Sequence, residues 1–289
     1  MGTDANAIQP GVLYVVATPI GNLEDITYRA VKILGGVDVI AAEDTRHTAK
    51  LLARYAIRRP LVSCHEHNED EKISEFIDRL KGGASMALVS DAGTPSVSDP
   101  GFKLVKACIE NAVLVLPVPG PSAAIAGLSV SGLPTDAFRF SGFPSRKSGK
   151  RKLDLQQLAS DTCTHIFYES PRRITALVEE TLEVLGDRQA MLAREITKIH
   201  EEYLRGSLSE ILDVLKARDT IKGECTLIVS GEAPAREPDG ALESDLDQAI
   251  LSALADKTLG TSGLAKVLAR QFNLPRKAVY DRILALRKS

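Results

Sequence analysis

The 289-residue chain contains no tryptophan, and only 4% of its residues are aromatic. That leaves little material for the ring platforms that read single-stranded nucleic acid base by base, so any RNA contact must rest mainly on charge and shape. No Gly-x-Gly occurs, which removes the dinucleotide-binding fingerprint. The four cysteines, Cys64, Cys108, Cys163 and Cys225, form no Cys-x-x-Cys pair and lie in or beside apolar segments. They read as buried thiols of a reducing compartment, with no zinc knuckle. No apolar run approaches the roughly 18 residues of a membrane span, and the opening residues have neither the basic nor the apolar region of an export signal. A cytoplasmic protein without membrane association is expected. Neither sign of charge is in excess, with 36 Lys and Arg against 38 Asp and Glu, a net of −2. This balance argues against indiscriminate binding to nucleic acid, and it makes any local basic cluster informative.

What is present is an ordinary globular composition, 44% hydrophobic and 26% charged, at a length suited to two α/β domains with a small appendage. The first 120 residues alternate β-branched runs (12–17, 37–42, 60–64, 86–90, 113–117) with helical periodicity (25–34, 45–56, 69–81, 100–110), the pattern of a mostly parallel sheet covered by helices. Asp99 before Pro100 predicts a cap and first helical residue together. A small-residue helix from about 124 leads into a second α/β set with a mixed sheet: strands near 138–143, 165–168, 190–194, 202–205 and 225–230, and helices at 151–160, 171–185 and 208–217. Ser207 and Glu210 form a capping-box pattern. Residues 231–240 have linker composition, followed by a basic helical tail. The expected domains are 1–123, 124–232 and 241–289.

Each strand of the first half runs into a polar or Gly/Pro-rich turn: TPIGN (18–22), EDTR (43–46), HEHN (65–68), DAGTP (91–95) and PGPS (119–122). In open α/β sheets ligands bind outside the carboxyl ends of strands, so five such turns describe one crevice. A phosphate-loop reading of 142–150 fails on spacing, with six residues between the glycines where four are needed. His65 and His67 could share one side of a strand as metal ligands do, but no third ligand motif accompanies them, and no metal is expected.

The segments LYVVATPIGN (13–22), AAEDTR (41–46), HEHNE (65–69), SDAGTPSVSDPG (90–101) and VPGPSAA (118–124) resemble the tetrapyrrole methylase superfamily of S-adenosylmethionine-dependent enzymes. The similarity continues through GLPTD (132–136), SGFP (141–144), YESPR (168–172), REITK (194–198) and KGE (222–224), in order over about 11–232. More narrowly the chain resembles the branch that methylates the ribose 2′-oxygen of a decoding-centre cytidine in 16S ribosomal RNA. The resemblance implies two α/β domains with the donor S-adenosylmethionine in the cleft between them, a homodimer, and a substrate in the small ribosomal subunit. At matching positions it places Pro19 against the donor. Ser90, Asp91 and Thr94 fall on the loop that receives the methionine portion, with Ser90 where tetrapyrrole enzymes have glycine. Gly120, Pro121, Ser122 and Ala123 match a second donor turn, and Tyr168 and Glu169 the strand end facing the adenosine.

The chemistry of the residues adds roles. Asp91 suits the donor's amino group, unless it closes an Asx turn on its own loop. Asp44, His65 and His67 are candidate bases for a ribose hydroxyl, Asp44 being equally a natural helix cap. Arg46 suits a phosphate. Arg172 and Arg173, placed in a first helical turn, oppose the macrodipole unless an anion joins them, and RNA phosphate is such an anion; the alternative is pairing with Glu169, Glu179 or solvent. Arg146, Lys147, Lys150, Arg151 and Lys152 put five cations in seven residues, a cluster useful on RNA and superfluous for a tetrapyrrole. A small-molecule methylase and a non-catalytic RNA-binding factor are the rival classes. In the tail, Leu264, Val267, Leu268, Val279, Ile283 and Leu286 are expected to close a small helix-turn-helix-like core with a basic face left for phosphate or for packing.

Overall fold

The computed structural model describes residues 8–65, 68–232, 240–255, 260–272 and 274–287. In the first half, strands β1 (Val12–Val16), β2 (Val39–Ala42), β3 (Leu61–Ser63), β4 (Met86–Val89) and β5 (Leu114–Val118) alternate with helices α1 (Tyr28–Gly36), α2 (Thr45–Arg54), α3 (Glu69–Lys81) and α4 (Phe102–Glu110). The strands pair only in parallel, in the order β3-β2-β4-β1-β5. β2 and β4 are buried at every position, as continuous apolar strands covered on both faces must be. One face packs Ile33, Leu34, Ile40 and Leu52 into a core, and the other packs Phe76, Leu80, Met86 and Leu104.

Helix α5 (Ala123–Ser131) leads to the second sheet, built from β6 (Phe138–Phe140), β7 (Thr164–Glu169), β8 (Gln189–Arg194), β9 (Glu202–Ser207) and β10 (Cys225–Val229) in the order β6-β7-β10-β8-β9. Only β6 and β7 run parallel, so the sheet is mixed, as expected. Helices α6 (Ser148–Gln156), α7 (Ile174–Leu185) and α8 (Leu208–Lys216) cover its outer face. The Ser207 side chain and Glu210 complete their capping box at the start of α8. A core of Ile20, Ala124, Leu128, Ile166, Met191 and Ile196 joins the turn after β1, helix α5 and the second sheet. Both sheets therefore belong to one compact unit, Met1–Glu232.

A separate unit, Ala233–Ser289, holds α9 (Gly240–Ala255), α10 (Thr261–Gln271) and α11 (Arg276–Leu286). Leu246 and Ile250 of α9 pack with Leu264 and Leu268 of α10 and with Val279 and Ile283 of α11. Val267, expected in this core, is half exposed.

Helix α6 begins earlier than expected, at Ser148 rather than near 151, and three helix starts fall later than expected. Leu23–Asp25 is a separate 3-10 turn capped by Asn22, so α1 begins only at Tyr28, where the Thr27 hydroxyl caps it. Asp99 does not cap α4, which begins after Gly101. That residue holds a φ of +117°, and a Cβ there would come within 2.6 Å of the Leu88 side chain. Helix α7 begins at Ile174, because 170–173 form their own turn with Arg173 and Ile174 N–H groups both donating to Ser170 O.

Candidate active site

Because the first sheet is parallel, its five carboxyl ends open on one edge. After β1, the Thr18 N–H donates to Gly93 O at 2.9 Å, and the Gly93 N–H returns a bond at 3.1 Å. The Thr18 hydroxyl donates to Ser90 O at 3.1 Å. The turns after β1 and β4 are thus fastened to each other, with Pro19 buried beside them. Gly93 holds a φ of +79°, which L side chains rarely adopt. Gly120 runs so close to β1 that a Cβ would meet the Ala17 methyl at 3.0 Å. Both glycines leave main chain open to a ligand without side-chain bulk.

Three carboxylates gather here. Glu43 Oε2 accepts from the Asp91 N–H at 3.2 Å, and Asp91 Oδ1 accepts from the Asp44 N–H at 3.1 Å. Asp91 therefore ties β4 to β2 and does not close an Asx turn on its own loop. Asp99 joins them: burial pushes its carboxyl up to about 7, the Glu43 charge adds to the rise, and a bond to Ser90 opposes it. Burial likewise raises Glu43. Among the described residues no lysine or arginine ion-pairs with Glu43, Asp91 or Asp99. A crowded, half-buried set of acids without a counter-cation suits a cationic ligand, because positive charge would relieve both burial and mutual repulsion. The sequence reading passed over Glu43 and Asp99, although both lie in the motifs that carried the resemblance.

The second sheet supplies another wall. The Tyr168 hydroxyl accepts from the Ala124 N–H at 2.9 Å, binding the end of β7 to the start of α5, where Ser122 is the cap residue and Ala123 the first residue. Phe140 and Phe143 pack edge-on against the Tyr168 ring at 4.8 and 5.7 Å. Glu169 is 2% exposed; its Oε1 accepts from the Ser170 N–H at 2.6 Å and from Arg173 Nε at 2.8 Å, while Oε2 has no partner. Thr94, Pro121 and Ser122 are half-buried along the first edge.

Of the candidate bases, Asp44 is the cap of α2, accepting from the Arg46 N–H at 2.8 Å, and is chelated by the Arg46 guanidinium at 3.1 and 2.7 Å. Those bonds hold its carboxyl well below the usual carboxylate range, which makes it a weak proton acceptor. The His65 N–H donates to Asn68 Oδ1 at 2.8 Å at the end of β3. His67 lies outside the described residues.

The expected RNA contacts divide sharply. Arg151 is 5% exposed and donates to both Glu180 oxygens, at 2.6 and 2.8 Å, and to Ser145 O. Lys152 pairs with Glu183 at 2.6 Å. Residues 148–152 of the segment open helix α6, and its periodicity turns these two cations onto α7. Arg151 is thereby corrected from an RNA contact to a buried tie. Arg173 is committed to Glu169, and with α7 starting at Ile174 neither Arg172 nor Arg173 lies within its first turn. Arg146, Lys147, Lys150 and Arg172 remain exposed. So does Arg46, paired with Asp44. Among the described residues, Asp161, Cys163 and His165 form a grouping of metal-donor side chains around the amino end of β7, the end away from Tyr168. Asp161 there is paired with Arg139 at 2.7 Å.

Residues 12–212 match the family model described as Tetrapyrrole (Corrin/Porphyrin) Methylases. A protein named Ribosomal RNA small subunit methyltransferase I from Synechocystis sp. is 45% identical over 277 residues, spanning 96% of this chain and 98% of the relative. The protein of the same name from Mesorhizobium japonicum is 45% identical over 285 residues, spanning 98% and 94%. Among solved structures, a cobalt precorrin-4 methyltransferase superposes with a TM-score of 0.57 at 16% identity, over 80% of this chain and 97% of that one. A Thermus thermophilus uroporphyrin-III C-methyl transferase complexed with S-adenyl homocysteine gives 0.53 at 20% identity, over 76% and 97%. The fold, the five turns on one edge and these similarities agree: the chain belongs to the tetrapyrrole methylase family and, within it, to the group of the small-subunit ribosomal RNA methyltransferase I proteins.

Proposed function

We propose that the protein is an S-adenosylmethionine-dependent methyltransferase that modifies the ribose 2′-oxygen of a decoding-centre cytidine in 16S ribosomal RNA. It acts in the cytoplasm, on the small ribosomal subunit, as a homodimer. The observation that carries the reading is a conjunction. Relatives named for this ribosomal activity match at 45% identity almost end to end, and the matched turns gather Glu43, Asp91 and Asp99 with no ion-paired lysine or arginine among the described residues. No described helix is long and apolar enough to cross a membrane. The ribosomal relatives cover 96–98% of the chain, and so take in most of the helical unit that the family model, ending at residue 212, leaves out.

The donor, when bound, would supply a methyl carbon on a sulfonium; attack of the ribose oxygen on that carbon would form the O–C bond as the S–C bond breaks, its electron pair staying on sulfur and the neutral thioether leaving. The crevice fits such a group. Its glycine turns at Gly93 and Gly120 admit close approach, Asp91, with Ser90 and Thr94, faces the ammonium of the methionine portion, and the unpartnered Glu169 Oε2 and the Tyr168 edge serve the adenosine side. Pro19, Gly120, Pro121, Ser122 and Ala123 complete the wall. Much of the rate comes from holding the acceptor in line, which contributes several kcal/mol of barrier without any strong base. The 2′-proton leaves to His65, His67 or solvent more readily than to Asp44, whose carboxyl Arg46 keeps ionised. Arg46, Arg146, Lys147, Lys150 and Arg172 hold phosphates. The test is incubation with labelled donor and purified small subunits lacking the modification, followed by nucleoside analysis. A 2′-O-methylated cytidine is expected; label in another nucleoside, or none, overturns the assignment.

A further inference from the structure

An open groove of about 680 Å³ lies between the turn after β1 and the connection from β8 to β9, outside every residue assigned to the donor or to RNA above. Its size is that of a site for one or two nucleotide units. Both walls are fixed. On one side the 3-10 turn Leu23–Asp25 is capped by Asn22 and held by the Tyr55 hydroxyl, which donates to Leu23 O at 2.6 Å. On the other, residues 195–201 are knotted by their own bonds. The Thr197 N–H donates to Glu201 Oε1 at 2.7 Å, and Lys198 Nζ reaches Glu195 at 2.9 Å and Glu224 at 3.1 Å.

The walls are also pinned to each other, since the Asn22 N–H donates to Thr197 Oγ1 at 3.0 Å. Gly21 is packed so tightly under this loop that a Cβ would come within 2.6 Å of the Lys198 side chain. Glu195 and Thr197 hold positive φ of 53° and 67°. Backbone of this kind persists only where the surroundings over-determine it, and the present loop uses that rigidity to hold Ile199 98% exposed in the groove wall. Tyr28, the first residue of α1 and four residues beyond Glu24 of the groove, is also 98% exposed. Fully solvated apolar side chains do nothing for the core.

The charged groups here are of three kinds, one of them the exposed Glu24, an acid of the lining with no ion-pair partner among the described residues. Lys198 is already neutralised by two carboxylates, and so shapes the loop. Arg54 and His200, by contrast, are exposed and have no ion-pair partner among the described residues. The groove's lining begins at Gly21, two residues after Pro19 in the chain.

We infer that this groove seats the RNA strand flanking the target nucleotide, with Arg54 and His200 on phosphate oxygens and Ile199 and Tyr28 against base faces. The inference rests on the ribosomal RNA reading above and adds to it a second run of contacts, from residues outside the proposed donor site. Further supports for the strand help to hold a 2′-oxygen in line.

The test compares wild type with Arg54→Gln, Arg54→Lys, Ile199→Asp and the Arg54→Gln/Ile199→Asp double variant. Both positions are exposed, so the substitutions leave the core untouched, and calorimetric binding of S-adenosylmethionine checks the crevice directly. With isolated unmodified small subunits, KM should rise about fivefold in each of Arg54→Gln and Ile199→Asp and at least twentyfold in the double variant. Arg54→Lys should stay within twofold of wild type, and donor affinity and mass by light scattering should not change. An unchanged KM in the double variant overturns the groove. So does a halved mass, which would make the surface a contact between copies of the chain. If wild type itself transfers no methyl group to the subunits, the ribosomal assignment fails and the groove with it; wild-type transfer with an unaltered double variant sinks the groove alone.

Discussion

The acids at the edge of the first sheet and those of the second sheet make opposite use of the same side chains. In the second sheet, Glu202 lies between Arg218 and Arg194, with Arg218 bonds at 2.6 and 2.8 Å and an Arg194 bond at 2.8 Å. The Arg218 bonds, with Arg194 behind them, draw its carboxyl down to about 2 although burial acts the other way. Glu180 is similarly enclosed by Arg151 and Ser148. At the first edge, Glu43, Asp91 and Asp99 meet main-chain N–H groups, a serine and each other, and Asp99 rises to about 7. Acids that folding has already paired with cations serve as scaffold. Those that folding leaves crowded and unpaired would be relieved by a cation from outside, which is the physical basis for proposing the donor site at this edge.

The most severe way to break this contrast is to unpair the scaffold. Arg151→Ala leaves Glu180 charged and mostly buried, and removing one partner of such a pair costs about 3–5 kcal/mol. Urea unfolding should show that loss. A loss below about 1 kcal/mol would mean the pair is solvated and Arg151 is available to RNA after all.

At the open edge the corresponding change should cost binding and spare the fold. Asp91→Ala is expected to weaken S-adenosylmethionine about 10- to 100-fold, the range of one charge-assisted bond, as measured by calorimetry. Unchanged affinity with intact unfolding would move the donor elsewhere.

The pH dependence sharpens the comparison further. An acid whose folded value is raised from 3.8 to about 7 binds more protons folded than unfolded in that window, so it lowers stability progressively as pH rises from about 4 to 7. Asp99→Asn should therefore stabilise the ligand-free protein above pH 7 and change little below pH 4. A cationic donor favours the ionised form, so binding at pH 7 should release a fraction of a proton, detectable as buffer-dependent heat and absent in Asp99→Asn. Glu202→Gln gives the opposite sign, destabilising at neutral pH with the effect fading as pH falls toward 2.

The smallest effects are expected from the exposed cations. Arg146→Glu with Lys150→Glu should lower the slope of log affinity against log salt for RNA by about 1.5, two phosphate contacts at 0.7–0.9 each. Lys266→Glu with Lys277→Glu asks the same of the helical tail. A reduced slope makes its basic face part of the RNA surface, and an unaltered slope leaves it to packing.

The chemistry of neighbouring residues was enough to fix much of the architecture. Alternating strands and helices announced the parallel sheet, Gly82 marked the end of α3, and the Ser207–Glu210 box marked the start of α8, because caps and turns act over three or four residues. The five strand ends likewise declared themselves as lying on one edge, since parallel strands must end on a common edge. Availability of charge was not legible. Arg151 looks in sequence like its neighbours Lys147 and Lys150, and only the packing of α6 on α7 brings Glu180, 29 residues away, to neutralise it. Asp99 looks like a helix cap beside its proline, and only the approach of β2 and β4 surrounds it with Glu43 and Asp91. Ile199 and Tyr28 carry no motif at all. Local backbone preferences are written in adjacent residues, but burial, the sign of a nearby charge and the shape of a groove are properties of groups brought together from far along the chain, and those the tertiary structure alone decided.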